Sequence, residues 1–236
     1  HVLYAETDKT LSGCARFLSD PKRSFAVTLR AMMTTPHLGT RGVHPIVAQA
    51  ARELLNKSEN ERSGVLSTAM SFLSLYRDPV IAEVTGHSDW RIEDLVGAGE
   101  PLSLYLVVPP SDLSRTKPLI RLFLNQIGRR LTEQLSDKGQ RQLLFMLDEF
   151  PALGRLDFFE SALAFMAGYG IKAFLIAQSL NQIEKAYGQN NAILDNCHVR
   201  VCFATNDERT AKRVSESLGT ATETRAMRNY AGHRLS

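Results

Sequence analysis

The chain has 236 residues, which is enough for one large domain or two small ones. Hydrophobic residues make up 44% and charged residues 22% of it, the usual balance of a globular protein. The net charge of +3 does not by itself indicate nucleic-acid binding, and no apolar run approaches the roughly 20 residues that span a bilayer.

The first third of the chain has a helical pattern. Between Thr10 and Tyr76, apolar residues recur three and four positions apart, as they do in amphipathic helices. Asp20-Pro21 has the form of a helix start, and Ser58 is a candidate N-cap of a later helix. We interpret residues 1–85 as a small all-α domain, and we predict one short strand, Val80–Val84, near its end.

From residue 86 onward, apolar segments alternate with helical stretches, which is typical of a mainly parallel sheet covered on both faces. We therefore predict that residues 86–236 form an α/β domain. The predicted strands are Leu102–Val108, Leu143–Leu147, Ala173–Ala177 and Val199–Ala204, and the helices that follow them are Leu113–Leu135, Phe158–Ala167, Leu180–Tyr187 and Glu208–Leu218.

One predicted strand ends in two adjacent carboxylates. The five apolar residues Leu143–Leu147, which we expect to be buried on both faces, are followed directly by Asp148 and Glu149. A buried charge without a partner is costly, so this pair must either meet solvent or meet a cation. An apolar strand that closes in Asp-Glu has the form of a Walker B segment, although a plain strand meeting solvent would look the same.

Ligands of parallel sheets lie beyond the carboxyl ends of the strands, and three of the four predicted strand ends carry polar groups. In a nucleotide site, Asp148 would bind Mg²⁺ through water and Glu149 would act as the general base. Gln178, at the end of the next strand, could hold the attacking water or sense the terminal phosphate. The alternative is that Gln178 and Ser179 only start a helix, with Ser179 as its N-cap. The remaining polar strand end is Thr205-Asn206-Asp207.

The phosphate-binding part of such a site is missing from the sequence. A P-loop has the form G-x-x-x-x-G-K-[ST], and no Gly-Lys pair occurs in the chain. The P-loop therefore lies before His1, or the chain is not of this class. The start at His1 without a methionine and the end without a helix stop signal suggest a fragment or a processed form, which intact-mass analysis of the expressed protein tests.

The three cysteines, Cys14, Cys197 and Cys202, do not make a disulfide framework, which fits a reducing compartment. Cys197, His198 and Cys202 are close in sequence, but no second ligand pair with zinc-like spacing accompanies them. We interpret these cysteines as small apolar fillers in or near a strand.

Three stretches together resemble the TraG-like conjugative coupling proteins, the ATPases of type IV secretion: "LLFMLDEFPALGRL", "GYGIKAFLIAQSLNQI" and "CFATNDERTAKRVSESLGTAT". The resemblance is strong over residues 102–236. It implies a RecA-like nucleotide-binding domain with an all-α domain inserted between its P-loop and its Walker B strand. This chain would then hold the all-α domain and the later part of the RecA-like domain, with the P-loop and the membrane anchor before His1.

The resemblance also implies cofactors and site residues. The cofactors would be ATP and Mg²⁺, with Asp148 on the magnesium side and Ser179 as a further cofactor-binding residue. Glu149 and Gln178 would be the catalytic residues. Relatives often carry a basic residue shortly before a Gly-x-Gly such as Gly168-Tyr169-Gly170, but Met166 and Ala167 stand here; the remaining candidates for an arginine finger are Arg155 and Arg228.

The family further implies a hexamer at the cytoplasmic face of the bacterial inner membrane. Its partners would be the relaxase and relaxosome accessory proteins, single-stranded DNA, and the ATPases and inner-membrane proteins of the secretion channel. Two alternatives stay open: another RecA-like translocase, or a DNA- and relaxosome-recognition module without catalysis of its own. Basic residues that could serve the second are scattered through the helical region: Lys22, Arg23, Arg30, Arg41 and Arg52.

Overall fold

The structure, a computed structural model, describes residues 1–97, 99–135 and 139–222. Two compact units are present: one is His1–Arg91 with Val107–Thr116, and the other is Ile92–Leu106 with the residues from Lys117 onward. The domain boundary expected near residue 85 stays a prediction. No helix in the described ranges combines the length and the apolarity needed to cross a bilayer.

The first unit is helical, as predicted. Helix α3 (Phe25–Thr34) packs against α4 (Pro45–Asn56), and α2 (Leu11–Leu18) packs against α5 (Glu59–Leu73). Ala15, Leu29 and Ala51 are fully or almost fully buried between them. The helices of this unit are α1 (Val2–Ala5), α2 (Leu11–Leu18), α3 (Phe25–Thr34), α4 (Pro45–Asn56), α5 (Glu59–Leu73) and α6 (Pro79–Val84).

Helix α5 begins as predicted, because the Ser58 side chain and Glu61 form a reciprocal capping box. Two other predictions for this unit are wrong. Asp20-Pro21 starts no helix, since the Asp20 carboxylate accepts the Lys22 amide in a local turn and the helix begins only after Ser24.

Val80–Val84 is part of helix α6 rather than a strand. The Asp78 carboxylate accepts the amides of Val80 and Ile81, and a proline occupies the first helical position. This cap outweighs the β-propensity of the valines.

The second unit contains a two-stranded parallel sheet, with Leu143 opposite Ile171 and Leu147 opposite Leu175. Phe145 on one strand meets Phe159 edge-on, with ring centroids 5.7 Å apart, and both are buried. The elements are α7 (Leu113–Leu131), β1 (Leu143–Leu147), α8 (Asp157–Ala162), β2 (Ile171–Leu175), α9 (Leu180–Tyr187) and α10 (Glu208–Leu218).

Strand β1 and helices α9 and α10 agree with the prediction residue for residue, whereas β2 both begins and ends two residues earlier than predicted. Helix α7 ends four residues before the predicted end, at Leu131. Helix α8 is shorter than predicted, and a 3₁₀ turn, Met166–Tyr169, follows it.

Three predictions about the sheet are corrected. Strand β1 is covered on one face only, because Leu144 and Met146 are 54% and 63% exposed. Leu102–Val108 and Val199–Ala204 are not strands: neither has a ladder partner within the described chain, and Val107 and Phe203 are 85% and 88% exposed. A strand without a hydrogen-bonded neighbour leaves its backbone groups unpaired. The predicted fold class, a partial, mainly parallel RecA-like α/β domain preceded by helices, is confirmed.

Candidate functional site

The candidate site begins where β1 ends. Asp148 follows the last strand residue, Leu147; it is exposed, and no described residue pairs with its carboxylate. Glu149 is half-buried and lies in the left-handed region, with φ 48° and ψ 40°. It is the one described residue other than glycine with a positive φ. Such a conformation costs on the order of 1–3 kcal/mol and persists only where the surroundings determine it.

The surroundings of Glu149 are a tight loop fixed to the sheet. The Ile176 amide donates to the Leu147 carbonyl at 3.0 Å, and the Phe150 amide donates to the Ile176 carbonyl at 3.1 Å. Phe150 is 1% exposed, and its ring lies 5.7 Å from that of Tyr187. The Ala152 amide donates to the Glu149 carbonyl at 2.8 Å and closes the 3₁₀ turn Phe150–Leu153. The backbone at Glu149 is therefore held from both sides.

Gln178 contacts Glu149 directly. Its side-chain Nε2 donates to Glu149 Oε1 at 2.7 Å, and its own backbone amide donates to Gln182 Oε1 at 2.9 Å. An ionised carboxylate only accepts hydrogen bonds, so the nitrogen of the Gln178 amide must face it. Two residues far apart in sequence thus meet at one edge of the sheet, as expected of neighbouring parallel strands.

Ser179 lies beside this contact and caps helix α9. Its hydroxyl accepts the Gln182 amide at 3.4 Å. The structure therefore gives Ser179 the N-cap role, and its role as a cofactor-binding residue stays a prediction.

The third polar group predicted to follow a strand, Asp207, instead connects two helices. The Asp207 carboxylate caps α10 by accepting hydrogen bonds from the hydroxyl and the backbone amide of Thr210. It also accepts a hydrogen bond from the side-chain amide of Asn181, on α9, at 2.7 Å. The Thr210 hydroxyl bond, above all, holds the pKa of Asp207 below its ordinary value. Thr210 also accepts the Leu180 amide at 3.1 Å, so Asp207 serves to dock α10 on α9. Sequence reasoning missed Asn181 and Thr210 in this role.

The Arg155 side chain already has partners within this unit. Its guanidinium contacts Asp157 at 2.7 Å and Glu160 at 3.2 Å, and it donates to the Tyr187 carbonyl at 3.5 Å. Arg228 lies outside the described residues. The arginine-finger roles of both stay predictions.

A metal at this site would depend on few protein ligands. In the part of the chain that the structure describes, no three His, Cys, Asp or Glu side chains come together as metal ligands would. Mg²⁺ keeps several waters and is typically held by one or two carboxylates together with substrate phosphates. A single exposed carboxylate such as Asp148 fits that donor set.

These features define a partial RecA-like α/β chain in which an acidic pair follows β1 directly. The side-chain amide of Gln178, which lies just beyond β2, binds the second acid of the pair. The family model described as Type IV secretory system Conjugative DNA transfer matches residues 4–235, and the chain belongs to this family. The resemblance to TraG-like coupling proteins is thereby confirmed.

The curated relatives carry matching names. The chain is 39% identical over 250 residues to the conjugal transfer protein TraG of Escherichia coli, in an alignment that covers 100% of this chain and 39% of the relative. It is 35% identical over 167 residues to VirD4 of Rhizobium rhizogenes, which covers 69% of this chain and 24% of that protein. The type IV secretion system-coupling protein VirD4 of Bartonella quintana is 25% identical over 224 residues, with 93% and 33% covered. The chain thus spans about two fifths, or less, of the length of these relatives.

Proposed function

We propose that this chain is the part of an ATP-driven conjugative coupling protein that contributes the acidic strand end of the nucleotide site. One observation carries the proposal: Asp148, which is exposed and unpaired among the described residues, and Glu149, which is held by Gln178, lie together at the carboxyl end of parallel strands. The family match over residues 4–235 and the names of the relatives support the role in conjugative DNA transfer.

In this proposal, each residue of the site has a role in ATP hydrolysis that follows from its chemistry. Asp148, with no internal partner among the described residues, is the group available to Mg²⁺, which supplies charge neutralisation on the phosphates when bound. Glu149 is the general base that takes a proton from the attacking water. Gln178 fixes the Glu149 carboxylate through its side-chain amide, which donates to Glu149 Oε1 at 2.7 Å. The Ser179 hydroxyl is the further cofactor contact.

The intact protein in this proposal is a hexamer at the cytoplasmic face of the inner membrane. It recruits a relaxase–DNA complex with its relaxosome accessory proteins, or a protein effector. It passes single-stranded DNA or protein to the ATPases and inner-membrane proteins of the type IV secretion channel.

The test is Glu149→Gln in the intact protein, which keeps the size of the side chain and removes the base. We expect ATP to bind normally and to turn over at least about 100-fold more slowly. Glu216→Gln, an exposed position on α10, is the matched control and should keep full activity. Normal turnover in Glu149→Gln would refute the assignment.

A specific observation also favours DNA recognition by the helical unit. Arg23 is committed internally, since it contacts Asp20 at 3.4 Å and lies 4.6 Å from the centre of the Phe17 ring. The other four cations of the predicted set are exposed and form no ion pair within the described chain: Lys22, Arg30, Arg41 and Arg52.

If all four contact phosphates, they should contribute about −3 to the slope of the logarithm of the affinity for single-stranded DNA against the logarithm of the salt concentration. Replacing the four by alanine in the intact protein should bring that slope close to the value for the rest of the protein. An unchanged slope, measured by anisotropy of labelled oligothymidine, would refute DNA contact by these residues.

A further inference from the structure

The acidic loop, Glu149–Gly154, is held from helix α7 as well as from the sheet. Arg121 Nη1 donates to the Leu153 carbonyl at 2.8 Å. Leu153 is buried and ends the 3₁₀ turn, and no backbone amide of the described chain donates to its carbonyl. The last carbonyls of a helical turn have no partner within it, so the guanidinium satisfies a group that would otherwise be buried unpaired.

The backbone at Gly154 lies directly against two cations of α7. A Cβ atom at this position, where φ is +69°, would lie 3.1 Å from Lys117 Nζ and 3.5 Å from Arg121 Nη1. Lys117 and Arg121 are one helical turn apart, where like charges repel, and neither forms an ion pair with a carboxylate of the described chain. Two neighbouring cations therefore destabilise α7 locally, and their contact with the backbone of the acidic loop gives a reason for their presence.

The Leu153 carbonyl and Glu149 belong to the same short turn, which backbone hydrogen bonds hold together. The Ala152 amide donates to the Glu149 carbonyl at 2.8 Å, and the Gly154 amide donates to the Pro151 carbonyl at 2.9 Å. Glu149 itself is in a sparsely populated conformation that needs support from its surroundings. The sheet supports one end of the acidic loop through Phe150, and Arg121 supports the other.

We propose that Arg121 is a positioning residue for Glu149: by bonding the Leu153 carbonyl, it holds the acidic loop so that the Glu149 carboxylate keeps its place beside Gln178. This inference rests on the proposed function of Glu149. It assigns Arg121 no contact with nucleotide, so loss of Arg121 should slow the chemical step without weakening nucleotide binding.

The experiment compares Arg121→Ala and Arg121→Lys in the intact protein with Arg129→Ala. Arg129 lies on the same helix, but its guanidinium stacks on Phe158, 4.7 Å from the ring centre, and makes no contact with the acidic loop. Three quantities are measured: kcat for ATP, the dissociation constant of the nucleotide, and hydrogen exchange of the peptide that contains the acidic loop.

For Arg121→Ala we expect kcat to fall about 10- to 100-fold, because small displacements of a catalytic group cost that much. The nucleotide dissociation constant should stay within about twofold, and exchange at the Ala152 and Gly154 amides should accelerate. Arg121→Lys should fall between wild type and alanine, since an ammonium can donate but lacks the planar fork. Arg129→Ala should match wild type.

An unchanged kcat, or a kcat loss matched by an equal loss of nucleotide affinity, would overturn the inference. Should Arg121→Ala fail to fold, Arg121→Lys decides: slower turnover with faster loop exchange supports the inference, and wild-type values overturn it. Failure of the proposed function looks different, because Glu149→Gln would then hydrolyse ATP normally. If Glu149→Gln were inactive while Arg121→Ala stayed fully active, only the role of Arg121 would be refuted, and the proposed function would stand.

Discussion

Replacing Phe150 by alanine should destabilise the second unit by about 4 kcal/mol, the middle of the range for truncating a buried phenylalanine. Phe150 is 1% exposed and packs on Tyr187, with ring centroids 5.7 Å apart. Truncation removes this aromatic pair and leaves a cavity beneath the acidic loop. Because Phe150 follows Glu149 directly, the same change should also disturb the base and lower the rate of ATP hydrolysis.

Native-state hydrogen exchange of the β1 amides is the suitable assay. The single tryptophan, Trp90, belongs to the first unit, so its fluorescence would not report on the second. Phe165→Ala is the control: this side chain is 45% exposed, and its loss should cost only about 1 kcal/mol. Equal destabilisation of β1 by the two variants would contradict the conclusion that Phe150 packs the acidic loop on the core of the second unit.

Two further predictions concern the acidic site and the helical unit. Gln178→Leu removes the amide that holds Glu149, so kcat for ATP should fall about tenfold at unchanged nucleotide affinity, and an unchanged kcat would contradict a positioning role. Ser58→Ala should cost about 1 kcal/mol of stability in the first unit, followed by Trp90 fluorescence. The Ser58 hydroxyl and amide hold the pKa of Glu61 below its ordinary value of 4.5, so the part of the stability that comes from the Glu61 carboxylate should be constant above pH 4.5 and be lost as the pH falls through the lowered pKa. The bond in which the Ser58 hydroxyl accepts the Glu61 amide does not titrate, so the deficit in Ser58→Ala should shrink in acid without vanishing, and a deficit of the same size at neutral pH and in acid would contradict the reciprocal capping box.

Local signals made several elements predictable. Helices α9 and α10 each begin after a capping side chain, Ser179 and Asp207, and end before a glycine. Strand β1 is a compact apolar run that ends at charged residues, so its limits were found residue for residue. The meeting of Glu149 and Gln178 followed from the rule that parallel strands place their carboxyl ends at the same edge.

The errors arise where the outcome depends on contacts outside the segment. Leu102–Val108 and Val199–Ala204 have strand-like composition, but composition cannot supply the neighbouring strand that pairing requires. The exposure of Leu144 and Met146 likewise depends on what covers that face of β1. The positioning role of Arg121 had only one weak indication in the sequence. Arg121 is a second cation one helical turn from Lys117, on the predicted helix that precedes the acidic strand end.

The most direct measurement is a structure of the intact protein with Mg²⁺ and a non-hydrolysable ATP analogue. We expect the metal beside the Asp148 carboxylate, with a water between them. The Glu149 carboxylate should lie about 3 Å from the water that faces the terminal phosphate. A nucleotide bound away from the carboxyl ends of β1 and β2, or an Asp148 and a Glu149 that are both tied up in ion pairs, would contradict the account.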